Sequence, residues 1–234
     1  MNALMFYAQE DQRTQELWYD HLFTIDILCQ CVPLSKDGRG LWGQLQQVQE
    51  KETQLLIILW SVNALVLFKQ QKQWNTLNQI ITKRDQQFGT SGIVSALARP
   101  CAYEGTMIEK TMLLSETPIS SARGQIDLIC LNLARQTKSY LQGWEKALKR
   151  ASMTPEERAL EDKYGPEGNG EQQKGDTITF EGYIGNTFSQ LTGVIVYVKE
   201  EKCLKEKYVY IVQIEEEAEY RTVWPQDIIK GTDV

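Results

Sequence analysis

Leu55-Leu56-Ile57-Ile58-Leu59-Trp60-Ser61-Val62-Asn63-Ala64-Leu65-Val66-Leu67-Phe68 is the longest apolar run in the chain. Its 14 residues are interrupted only by Ser61 and Asn63, and Lys51 and Lys69 bracket it. A membrane span needs about 20 such residues. The run is therefore read as the buried half of a helix expected over about 41–72, whose first half is lined by Trp42, Leu45 and Val48. A helix that is apolar nearly all round belongs inside a bundle.

Outward from it, the pattern reads as more helices. Leu17, Trp18, Leu22, Ile25, Leu28, Cys29 and Val32 recur at spacings of three and four and predict a helix over 10–32 that Pro33 ends. Trp74, Leu77, Ile80 and Ile81 predict a helix over 74–87. Shorter helices are expected over 92–98 and 102–115, before Pro100 and Pro118. Ser120 and Ser121 are read as N-caps of a long helix to Arg150, with Ile126, Cys130, Leu133, Leu141 and Trp144 in its stripe. Thr154-Pro155-Glu156-Glu157 opens a short helix to about Tyr164. Residues 165–174, beginning Gly165-Pro166-Glu167-Gly168-Asn169-Gly170, have no apolar anchor and read as a linker.

After the linker the period changes from 3.6 to 2. Ile178 and Phe180, then Val194, Val196 and Val198, then Tyr210, Val212 and Ile214 each fall on one face of a strand. Gly175-Asp176-x-Ile178-x-Phe180, Gly193-Val194-Ile195-Val196-x-Val198, Tyr208-x-Tyr210-x-Val212-x-Ile214 and Val223-x-Pro225-x-Asp227-Ile228 together resemble the SH3-like small β-barrels, including their Tudor and KOW-type relatives. The resemblance covers about the last quarter of the chain. It implies a barrel over 175–234, a fold that serves many unrelated roles. The expected fold class is thus α+β and multi-domain: an N-terminal α-helical bundle over 1–164, a linker over 165–174 and a small SH3-like β-barrel over 175–234.

Charge narrows the partners. The chain carries a formal net charge of −6, which makes no general case for nucleic acid. Residues 1–150 hold 16 Lys and Arg against 14 Asp and Glu, whereas 175–234 hold 6 against 11. Glu215-Glu216-Glu217 and Glu219, expected at a hairpin tip, would repel a phosphate backbone. Only the N-terminal part can offer a basic face. Five cysteines in no framework spacing read as free thiols, and the N-terminus has no basic segment of a signal peptide. The expectation is a soluble, cytoplasmic protein with no membrane contact.

The chemistry-bearing residue types are sparse. His21, the one histidine, precedes Cys29 by eight residues, about 11 Å along a helix, whereas a general base must come within about 3 Å of its nucleophile. Cys29 and Cys31 have no second ligand cluster for zinc. Glu16 and Asp20 share a helix face, but Trp18 stands where a Glu-x-x-His pair would need its glutamate. Gly89-Thr90-Ser91-Gly92 lacks the lysine of a phosphate loop. No catalytic residue, metal or cofactor is therefore assigned, and a non-catalytic protein-binding or assembly subunit is expected.

Its contact surface is placed on the barrel. Ile195 and Tyr197, with Val209 and Ile211, are expected on the face opposite the core, where a free-standing barrel would be polar, and Phe188 and Trp224 add aromatic area. The alternative is a nucleic-acid-associated subunit that uses Arg135, Lys138, Lys146, Lys149 and Arg150 on the long helix. Gly92–Ala98 and Tyr140–Arg150 resemble parts of the helical small subunits of type III CRISPR complexes. An enzyme of unrecognised type is the remaining alternative.

Overall fold

Asn2–Ala8, directly after the initial Met1, is a strand, and a parallel sheet is built beside it. The computed structural model describes residues 2–34, 43, 45, 48, 54–69, 71–102, 106–122, 124–184, 187–202, 207–214 and 220–229. The chain divides into two units, Met1–Ser152 and Met153–Val234.

In the first unit β1 (Asn2–Ala8) leads through a short 3-10 turn into α1 (Gln12–Thr24) and β2 (Leu28–Leu34). There follow β3 (Leu55–Trp60), α2 (Val62–Phe68), α3 (Gln71–Phe88), β4 (Ile93–Leu97), the two-residue β5 (Met112–Leu113) and α4 (Ile126–Ser152). The strand order is β2-β1-β3-β4-β5, and every neighbouring pair is parallel.

This corrects the expected N-terminal helical bundle: the unit is mixed α/β. The apolar run 55–68 is not one helix. All six residues of β3 are buried. Leu56, Ile58 and Trp60 join Phe6, Phe68 and Leu77 in one core, while Leu55, Ile57 and Leu59 join Met5, Trp18 and Trp144 in another. A parallel strand covered by helices on both faces has no polar face, so its sequence shows no alternation and imitates a buried helix. Ser61 ends the strand and caps α2, its Oγ accepting from the Ala64 amide at 3.3 Å.

The remaining differences have similar causes. Ile93-Val94-Ser95-Ala96-Leu97, read as a helix, is a second fully buried strand. The helix over 10–32 stops at Thr24; Asp26 turns the chain with φ of 65°, and Leu28, Cys29 and Val32 belong to β2. Pro33 lies within β2, an edge strand, where its missing N–H is tolerated. In 106–115 the chain forms a 3-10 turn and β5, and Ser120 and Ser121 lie in another 3-10 turn, ahead of the Ile126 start of α4. The expected helix start near Leu41 lies outside the described residues.

The second unit holds α5 (Pro155–Tyr164) and an antiparallel sheet in the order β6 (Thr177–Ile184), β7 (Thr187–Glu200), β8 (Tyr208–Gln213) and β9 (Tyr220–Val223). Ile178, Phe180, Leu191, Ile195, Val198, Tyr210, Val212 and Val223 form its core. After β9 the chain returns to the first strand: Ile228 bridges Phe180, and the Ile229 amide donates to the Thr179 carbonyl at 2.8 Å. Residues 165–174 do not hang free as a linker. The Gly168 amide donates to Val198 O and the Glu200 amide to Pro166 O, both at 2.8 Å. The Tyr210 hydroxyl donates to Gln172 Oε1 at 2.6 Å. A side chain at Gly168 would meet the Glu200 backbone at 3.0 Å, and one at Gly170 the Tyr210 ring at 2.8 Å. These glycines are there for close approach, a need that has the same composition as flexibility.

Candidate functional site

The strand order places a reversal of winding between β1 and β3. α1, which follows β1, packs its Trp18 and Leu22 into one core; α2 and α3, which follow β3, pack Leu65, Phe68, Leu77 and Ile80 into the other. Where consecutive connections leave to opposite faces, a crevice opens at the carboxyl ends of the strands, and ligands of open α/β sheets bind there.

Five polar residues converge at that point. Glu10 and Asp11 follow β1, Ser61 and Asn63 follow β3, and Arg99 follows β4. Ser61 Oγ donates to Glu10 Oε1 at 3.4 Å, and Asn63 Nδ2 donates to Glu10 Oε2. Arg99 Nε donates to Asp11 Oδ1, and its Nη2 to the Glu10 carbonyl, each at 2.7 Å. The hydrogen bond to Asp11 holds the Arg99 guanidinium charged, its pKa raised further by the Asp11 and Glu10 charges. Burial, then the Asp11 charge, pushes the nearby Cys101 thiol up. Asp11 is 2% exposed, and its Oδ2 has no hydrogen-bond partner among the described residues. The set is rich in acceptors and carries two carboxylates at the start of α1, an arrangement that repels phosphate and suits a donor-bearing group. The sole histidine is elsewhere: His21 Nε2 pairs with Asp127 Oδ1 at 3.0 Å, joining α1 to α4.

The sequence-selected residues of the C-terminal sheet divide. Ile195 lies in the core of the unit, opposite Val212. Tyr197 pairs with Ile211 beyond an irregularity in β7, which puts Tyr197 and Ile195 on different faces. Tyr197, Val209 and Ile211 are all buried, and the Tyr197 hydroxyl donates to the Gly165 carbonyl at 2.8 Å. Phe188 and Trp224 are exposed. Phe188 sits directly across from Tyr183 in the β6–β7 ladder, 59% and 54% exposed for Tyr183 and Phe188, with ring centroids 4.9 Å apart. Tyr183 was not among the residues selected, because it falls at a strand end beyond the alternating apolar pattern.

Arg135, Lys138, Lys146, Lys149 and Arg150 are all exposed and follow one another at helical spacing along α4. The acidic tip residues Glu215–Glu217 and Glu219, and Cys203, lie outside the described residues. Among the described residues, no group of three or more His, Cys, Asp or Glu is placed to hold a metal ion, and no helix is long and apolar enough to cross a membrane. No protein-family model matches the chain, and no curated protein or solved structure shows significant similarity to it.

Proposed function

We propose that the chain is a non-catalytic binding or assembly subunit that meets another protein through its C-terminal unit, an SH3-like barrel, and acts in the cytoplasm. The observation that carries this is the Tyr183–Phe188 pair: two large rings in tilted contact across adjacent strands and more than half exposed. Scattered exposed apolar residues are ordinary, but paired aromatics are the residue types that anchor protein contacts. The return of Ile228 and Ile229 to β6 supports the barrel reading, and the acidity of residues 175–234 suits a basic partner. The crevice at the ends of β1 and β3 is the second contact surface, one that accepts hydrogen bonds.

The test is affinity capture from the host lysate with the full chain. A stoichiometric protein partner is expected, with capture reduced about tenfold or more by Tyr183→Ser combined with Phe188→Ser. Glu10→Ala with Asn63→Ala probes the crevice in the same assay. A wild-type chain that elutes as a free monomer and captures nothing sinks the proposal.

The exposed basic residues along α4 favour a second reading, contact with nucleic acid through the first unit. It predicts salt-dependent binding of single-stranded RNA that Lys146→Glu with Lys149→Glu weakens. Binding that ignores both salt and these substitutions overturns it.

A further inference from the structure

The edge strand β2 carries a second kind of chemistry, unrelated to the contact surfaces above. Cys29 and Cys31 are two residues apart on β2, so both side chains leave on the same face, and both pack partly buried against the core shared by α1 and α4. Across the ladder they stand opposite Ala3 and Met5. Gln15, on α1 and itself buried, donates its Nε2 hydrogen to Cys31 Sγ at 3.0 Å. Cys29 is its neighbour on the same face of β2. The Cys29 S–H reaches the Gln30 carbonyl at 3.9 Å, a long contact.

We propose that Cys31 is a peroxide-reactive thiol and Cys29 its resolving partner, making β2 a reversible oxidation site. The Cys31 thiolate attacks one oxygen of a hydroperoxide. The S–O bond forms, the O–O bond breaks, and the leaving oxygen departs as hydroxide or alkoxide, so that sulfur is oxidised by two electrons to a sulfenic acid and the peroxide is reduced. Cys29 then loses its proton and attacks the Cys31 sulfur. The S–S bond forms, the S–O bond breaks, and the departing hydroxide takes up the proton as water.

The two sulfurs have complementary environments. Hydrogen bonds from Cys29 and then Gln15 lower the pKa of Cys31 against a contrary effect of burial, while the bond to Cys31 and then burial raise that of Cys29. A thiol whose pKa is held down beside one whose pKa is held up is the arrangement of an attacking and a resolving cysteine. Cys130 shows the contrast: it is fully buried, and burial raises it to about 11. Residues two apart on a strand have Cα atoms about 6.6 Å apart, at the upper end of what a disulfide spans. Closure therefore requires β2 to pucker. An edge strand with Pro33 in it has fewer ladder bonds to lose in doing so.

Trypsin releases both cysteines, and no other, in the peptide Thr14–Lys36. The full native chain is treated with limiting hydrogen peroxide, its remaining thiols are blocked, and it is digested and weighed. The expected result is loss of two hydrogens in this peptide, reversed by dithiothreitol, at a rate roughly tenfold or more above oxidation of Cys101 or Cys130. In Cys29→Ser the expected product is a dimedone adduct at Cys31, and Gln15→Leu slows the first step several-fold. Oxidation of Cys31 no faster than that of Cys130 in the wild-type chain overturns the proposal without reference to any variant. A wild-type sulfenic acid that persists to dimedone while Cys29 stays reduced overturns the resolving role.

Discussion

The interaction that most depends on a single side chain is the one between Asp11 and Arg99. Asp11 is buried, with one oxygen bound to Arg99 and the other without a partner among the described residues. The pair is half out of water, since the Arg99 side chain is 52% exposed. Arg99→Ala leaves the carboxylate buried with neither oxygen paired to a side chain, at an expected cost of about 2 kcal/mol, less than for a pair buried on both sides. Adding Asp11→Asn should recover part of that loss, because the neutral amide is less costly to bury. Urea midpoints of the two variants check both statements, and an Arg99→Ala midpoint equal to wild type would refute the first. Gly92 is a second such position. Its φ is +63°, and a Cβ would sit 2.8 Å from the Trp144 indole, which is itself buried between Phe88 and the Arg84 guanidinium. Gly92→Ala is expected to destabilise the first unit by about 3 kcal/mol through clash and left-handed backbone together. A loss below about 0.5 kcal/mol would mean that Trp144 moves freely.

At the scale of elements, legibility followed local signals. The start of α5 was readable because its determinants are consecutive: the Thr154 hydroxyl accepts from the Glu157 amide, and the Glu157 carboxylate accepts from the Thr154 amide. Thr154→Ala should cost about 1 kcal/mol of local helix stability, seen as faster amide exchange in 155–160 with the β6–β9 ladder unchanged. β6 was readable because one face alternates, Ile178 and Phe180 buried between more exposed neighbours, whereas in β7 the irregularity after Ile195 put Ile195 rather than Val194 into the core. β3 and β4 were not readable, because burial on both faces removes the alternation that distinguishes a strand from a helix. The crevice then escaped notice because its residues become neighbours only when β1, β3 and β4 lie side by side: Glu10 and Arg99 are 89 positions apart. Ser61, breaking the longest apolar run, was the available signal, and it marks both the end of β3 and the cap of α2.

At the scale of the whole molecule, the two units differ in what their cores contain. The first buries its parallel strands between helices, whereas in the second buried tyrosines use their hydroxyls to hold the segment before β6. Burial, aided by the Glu161 and Glu167 charges, raises Tyr197 to about 12. Burial also raises Tyr210 to about 12, against the opposing hydrogen bond from the Gln172 amide. Below the ordinary tyrosine pKa of 10.0 both folded and unfolded chains keep these protons, and the stabilisation is fully present. Between about pH 10 and 12 the unfolded chain releases them and the folded unit does not, so the stability of residues 153–234 falls as pH rises through that window. Deprotonation also removes the donors that Tyr197 gives to Gly165 O and Tyr210 gives to Gln172 Oε1. Segment 165–174 should therefore lose amide protection first, followed by the β7–β8 ladder, with tyrosinate absorbance rising in step. Replacing Tyr197 by Phe should remove its part of the pH dependence while lowering stability at neutral pH by about 1 kcal/mol for the lost hydrogen bond. A stability of residues 153–234 that stays constant between about pH 10 and 12 would show that the folded unit does not hold these hydroxyls protonated.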